Sequence, residues 1–190
     1  LATAFLCTLL APLHLRAEPL TEALVRKTIN QVYYYPSIKK ETKPDQAVAG
    51  KTVIQGDDAL RTGRNSRSEL LFNDRSVARV GSNAVFSFMK GSREVSLADG
   101  TMLMQVPKNS KKTTIRTAAA TAAVTGTTVM MEHQPKSHVK MITLEGTMNV
   151  SIPDRPGESR TLKGGQMLLF PPDAKRLPEP VTVDVKRIKE

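Results

Sequence analysis

Five arginines fall within nineteen residues of this 190-residue chain: Arg61, Arg64, Arg67, Arg75 and Arg79. Guanidinium forks grip carboxylates and phosphates bidentately, so the run is a candidate partner- or anion-binding site. Asp57, Asp58, Glu69 and Asp74 lie among these arginines and could instead neutralise them as cross-strand ion pairs. Both readings stay open at the level of sequence.

Catalytic chemistry is harder to find. Beyond residue 17 there are two histidines, His133 and His138, on either side of Gln134-Pro135-Lys136-Ser137. That stretch reads as a hairpin loop with exposed histidines. A zinc site needs a third or fourth ligand, and Glu132 alone does not complete one. The chain has no Gly-x-Ser-x-Gly elbow and no glycine run ending in Gly-Lys-Ser/Thr. It has no Trp to stack against a sugar. The expectation is a protein that is not an enzyme and has no cofactor and no metal.

Elements must position whatever binds. Residues 1–17, LATAFLCTLLAPLHLRA, have the form of a signal peptide, with cleavage expected after Ala17 and a leader truncated at its start. The run is too short for a spanning helix, which needs about 20 apolar residues. Its removal takes away Cys7, the single cysteine, so the mature chain must rest on burial without disulfides. The remaining 173 residues suffice for one core, and no transmembrane helix is expected in them. A formal net charge of +10 would suggest nucleic acid for a cytosolic protein. Export disfavours that and points to an envelope protein or an anionic ligand.

Residues 18–47 read as a lead-in, a short helix or strand over 21–35 followed by a polar loop. After Lys51 the pattern is short strands and turns. Leu70 and Phe72, then Ala84, Phe86 and Phe88, then Val95 and Leu97, then Met102, Met104 and Val106 each share a face by alternation. Asn73-Asp74 reads as a turn and Asp99-Gly100 as a hairpin signal. Thr113–Arg116 and Val129–Glu132 read as strands around the small-residue stretch Thr117–Thr128. That stretch reads as a linker or, given its flanks, as a packed internal strand. Val139, Met141 and Thr143, then Met148, Val150 and Ile152, then Val181, Val183 and Val185 continue the alternation. Glycines at 63, 81, 100, 126, 146 and 164 recur at hairpin-sized intervals. The expected fold is all-β, a β-solenoid-like roll or stacked hairpins, with a β-sandwich as the alternative.

Several pieces in order resemble the FecR domain family. They are Gly56-Asp57-Asp58-Ala59-Leu60-Arg61-Thr62-Gly63, Ser66 to Leu70, Asp74-Arg75-Ser76, Arg79-Val80-Gly81 and Phe86-Ser87-Phe88. Val95 to Gly100, Val124-Thr125-Gly126-Thr127, Leu144-Glu145-Gly146 and Leu162 to Gln166 continue the series. The resemblance covers roughly residues 48–170 and leaves 171–190 as a proline-containing segment with a strand. It implies an exported all-β module with no catalytic residue to carry over. The family's name-giving member is an anti-sigma regulator that relays a siderophore signal from an outer-membrane receptor. The expected function is a non-catalytic ligand- or protein-binding, sensing module of the cell envelope, periplasmic or secreted. The alternative is a structural surface domain.

Overall fold

The computed structural model describes residues 18–37, 43–155 and 157–186. The stretch expected to be a leader, residues 1–17, lies outside the described residues. Seventeen strands are described, and their pairing connects all of them into one open sheet. That sheet folds about a single strand, β9 (Glu94–Gln105), into two layers. The first layer holds β1 (Glu22–Ile29), β4 (Val53–Gln55), β6 (Arg67–Phe72) and β7 (Val77–Val80) on one side of β9. On the other side it holds β12 (Thr128–Gln134), β13 (His138–Glu145), β16 (Gln166–Phe170) and β17 (Val181–Thr182). The second layer holds β2 (Val32–Tyr35), β3 (Asp45–Gln46), β5 (Ala59–Thr62) and β8 (Val85–Phe88) before β9. After β9 it holds β10 (Thr113–Arg116), β11 (Thr121–Val124), β14 (Thr147–Ser151) and β15 (Ser159–Lys163). Among the described strands only β9 and β10 pair in parallel; the other pairings are antiparallel. The chain therefore lays hairpins alternately into each layer, the stacked-hairpin form of the roll expected from its glycines.

The alternation of apolar and polar residues makes these strands and aims their side chains. In β6 every second residue, Ser68, Leu70 and Phe72, is buried. Phe72 from the first layer meets Phe86 and Phe88 from the second edge-on, with centroids 6.2 and 5.4 Å apart. Each such pair adds about 0.5–1.5 kcal/mol beyond its buried area. Met102, Met104, Met131, Met141 and Met148 fill the same core, where their flexible chains suit an irregular gap between twisted layers.

One open alternative is resolved and three expectations change. Residues 21–35 are two strands, not a helix, and they pair into both layers through β6 and β5. Asp99-Gly100 is not a hairpin turn but lies inside β9, where the strand passes from one layer to the other. Thr117–Thr128 is not one strand: Thr117 closes a turn through its hydroxyl to the amides of Ala119 and Ala120, and β11 begins at Thr121. Of the alternating valines near the end, only Val181 lies in a paired strand.

The passage between layers has a defined construction. The register shifts between Val85 and Phe86, so that Asp99 faces Val85, Leu97 faces Phe86 and Ala98 is left over as a bulge. Gly100 follows with φ +88°, and a Cβ there would stand 2.5 Å from the Cα of Ala84. Only glycine meets both demands.

Candidate functional site

The five arginines do not converge. Arg61 lies on the second layer with its guanidinium 5.9 Å from the Tyr35 ring centroid, a cation–π contact. Arg64 is exposed in the β5–β6 turn. Arg75 is exposed in the β6–β7 turn with φ +66°, a conformation set by Asp74, which accepts from the amide and hydroxyl of Ser76 at 2.8 and 2.9 Å. Arg67 and Arg79 do come together, on the outer face of the first layer. They border an open trough of about 630 Å³ whose floor includes Leu103 and Met130 and whose rim includes Lys27 and Ile29.

The charges around the trough follow from register. Glu69 stands opposite Lys27 on one side and Arg79 on the other. Its Oε2 accepts from Arg79 Nε at 2.9 Å, and Arg26 Nε lies 3.7 Å from Oε1. One carboxylate therefore serves two guanidiniums, and both keep about half their side-chain surface exposed. Sequence reading grouped Arg67 and Arg79 with the other three arginines; the structure brings these two together beside Arg26, Lys27, Leu103 and Met130, which that reading did not single out. The signal for Leu103 was present: it sits between Met102 and Met104, whose shared inward face sends it outward.

Away from the trough, three polar groups hold the frame. Asp58, 8% exposed, accepts from Tyr34 Oη at 2.9 Å and from the amides of Ser37 and Gln55 at 2.8 Å each. Burial, then the hydrogen bond to Asp58, pushes the Tyr34 phenol up to about 12. Arg93 and Asp74 form a buried pair at 2.5 Å. The same guanidinium donates to Thr113 Oγ1 at 2.9 Å and to the Glu18 carbonyl at 3.0 Å, so it joins three distant segments. Burial alone would raise Asp74. The bonds from Arg93 and Ser76 and the Arg93 charge outweigh it and hold the carboxyl below its ordinary value. On the first layer's outer face Glu132 binds Lys140, and His138 Nε2 lies 3.3 Å away. Burial opposes ionisation of Glu132, but the Lys140 bond and charge, His138 and Gln134 together lower its pKa.

His133 corrects the expectation of two exposed loop histidines. His138 begins β13 beside the predicted loop, but His133 is 1% exposed and points inward from β12. Its Nδ1 lies 2.8 Å from the carbonyl of Ala98, the bulged residue of β9. A carbonyl can only accept, so Nδ1 carries the proton and donates. The histidine thus satisfies the backbone group that the bulge takes out of the ladder. Among the described residues no cluster of three or more His, Cys, Asp or Glu side chains is placed to hold a metal ion. No helix among them is long and apolar enough to cross a membrane.

Strands β5 to β14 coincide with a family. Residues 58–149 match the family model described as FecR protein, so this part of the chain is a FecR domain. Among solved structures, two crystal structures from Parabacteroides distasonis, described as a candidate anti-sigma factor, share the architecture. Each has a TM-score of 0.59 and 14% identity, and the match covers 69% of this chain and 62% of that one. The chain thus spans less than two thirds of the length of these relatives, and at such identity the likeness is one of fold. No curated protein matches the chain.

Proposed function

We propose that this chain is an exported, non-catalytic FecR module that acts by binding a protein partner in the cell envelope. The FecR match over residues 58–149 carries this reading, because the family is one of signalling domains and not of enzymes. The description of the structural neighbours as anti-sigma factors supports a protein, not a metabolite, as the partner. The half-exposed guanidinium of Arg79 and the exposed Arg67 at one trough support the first layer as the contact side. Export rests on the leader-like residues 1–17.

A photo-crosslinking residue at position 67, in full-length chain expressed with its leader in the native host, tests the reading. A discrete crosslinked protein in the envelope fraction is expected, on a chain that N-terminal sequencing shows to begin at Glu18. The product should disappear when Arg79 is changed to Gln and persist when Arg61, on the other layer, is changed to Gln. A folded, exported chain that gives no discrete product would leave a purely structural role.

A further inference from the structure

The outer faces of the two layers differ in kind. On the second layer the central cross-strand row runs Ser87, Ser96, Arg116, Thr121, Ser151, Ser159, each directly opposite the next. That is a solvated face. On the first layer the corresponding row begins with Lys27, Glu69 and Arg79. It then continues across five strands as Leu103, Met130, Ile142, Met167 and Val181, again each opposite the next. These residues alternate with the inward core residues Met102, Met131, Met141 and Leu168, so they lie on the outside of the sheet. Val181 is 52% exposed, Leu103, Met130 and Met167 are partly exposed, and Ile142 between them is buried, with 4% of its surface exposed. An outer row that is basic at one end and apolar for the rest is the pattern of a surface that meets a partner.

We propose that this face docks an amphipathic helix of another protein, with acidic residues at the end that meets Lys27, Arg67 and Arg79 and apolar residues over Leu103 to Met167. The proposal rests on the reading of the chain as a protein-binding module. Three considerations select this occupant. The face of a sheet offers no free backbone groups, so a segment pressed onto it must satisfy its own backbone, which a helix does. The charge at one end is net positive, since Glu69 is shared between Arg26 and Arg79 and leaves Lys27 and Arg67 over, and so calls for carboxylates. A second copy would bring like charges together in a chain that already carries +10. The row spans eight strands, roughly 34 Å at about 4.8 Å per strand. A helix of about 22 residues matches that length.

Because the chain has no Trp, a helical probe with one Trp reports binding cleanly. The probe is a 22-residue amphipathic peptide with an apolar stripe and three Glu in its first turn; the control carries Lys in their place. The full chain should bind the Glu peptide saturably and the Lys peptide at least tenfold more weakly. Met130→Glu should cost at least tenfold in affinity for the Glu peptide. Arg79→Glu should do the same and should reverse the preference, so that the Lys peptide binds better. Thr161→Glu, the same new charge on the other layer, should change nothing, and circular dichroism should show all three variants folded. Equal binding of the two peptides, or affinities unmoved by both first-layer variants, overturns the proposal. So does a dimer seen by sedimentation and dispersed by Met130→Glu, which assigns the face to a second copy. Binding to phosphatidylglycerol vesicles that is lost in the same variant assigns it to lipid and also overturns it. If the envelope crosslink at position 67 persists while the peptides fail, the binding module stands and the helix-docking face alone falls.

Discussion

Single side chains in this protein act mostly by satisfying what the backbone leaves open. Asp58 accepts three hydrogen bonds from a nearly buried position, and Asp58→Ala would strand the amides of Ser37 and Gln55. A cost of about 1–3 kcal/mol is expected, read as a lower urea midpoint with an unchanged slope. The same substitution should bring forward the tyrosinate absorbance that Tyr34 otherwise shows only near pH 12. Arg93 and Asp74 make a stronger case. Arg93→Met leaves a buried carboxylate without its partner, and a loss of about 3–5 kcal/mol is expected in thermal or urea unfolding. The pH dependence has a definite sign. Asp74 has a folded pKa below its unfolded value of 3.8, so its contribution is present above that pH and is lost as pH falls through the folded value. Asp74→Asn should therefore flatten the acid limb of the stability curve, measured by urea midpoints between pH 5 and pH 2. An unchanged acid limb would show that the pair contributes nothing linked to protonation.

At the scale of elements, β9 decides the architecture, and it is where sequence reading succeeded and failed side by side. The alternation of Val95, Leu97, Met102 and Met104 was legible and correctly placed them inward. Asp99-Gly100 between them looked like a hairpin because a turn and a bulged crossing ask for the same residues. Local sequence cannot separate the two, since the difference lies in which strands arrive from elsewhere to pair. His133 was misread for the same reason: its partner, the Ala98 carbonyl, is orphaned only by that bulge, 35 residues away. The arginine run was legible as a charge cluster. Its scattering over two layers and two turns was not, because the β5–β6 connection changes layer between Arg61 and Arg67. Two substitutions probe the crossing. Gly100→Ala adds a Cβ against the Ala84 backbone at positive φ, and a loss of at least about 2 kcal/mol is expected in equilibrium unfolding. His133→Phe keeps the volume but leaves the Ala98 carbonyl unpaired, and about 1–3 kcal/mol is expected. Stability equal to the parent in His133→Phe would show that water replaces the imidazole.

For the whole molecule, the layout around β9 has a mechanical consequence. All strands before it in the chain lie on one side of it in both layers, and all strands after it lie on the other. Each hairpin chiefly touches its neighbours, so stability is distributed along the stack as in a repeat protein. Tension applied to the two chain ends would load the outermost strands first, β1–β4 at one end and β15–β17 at the other. The stack would yield from both ends inward, one hairpin at a time, with the central strand the last to part. A module built this way extends under load by graded steps and keeps its middle intact.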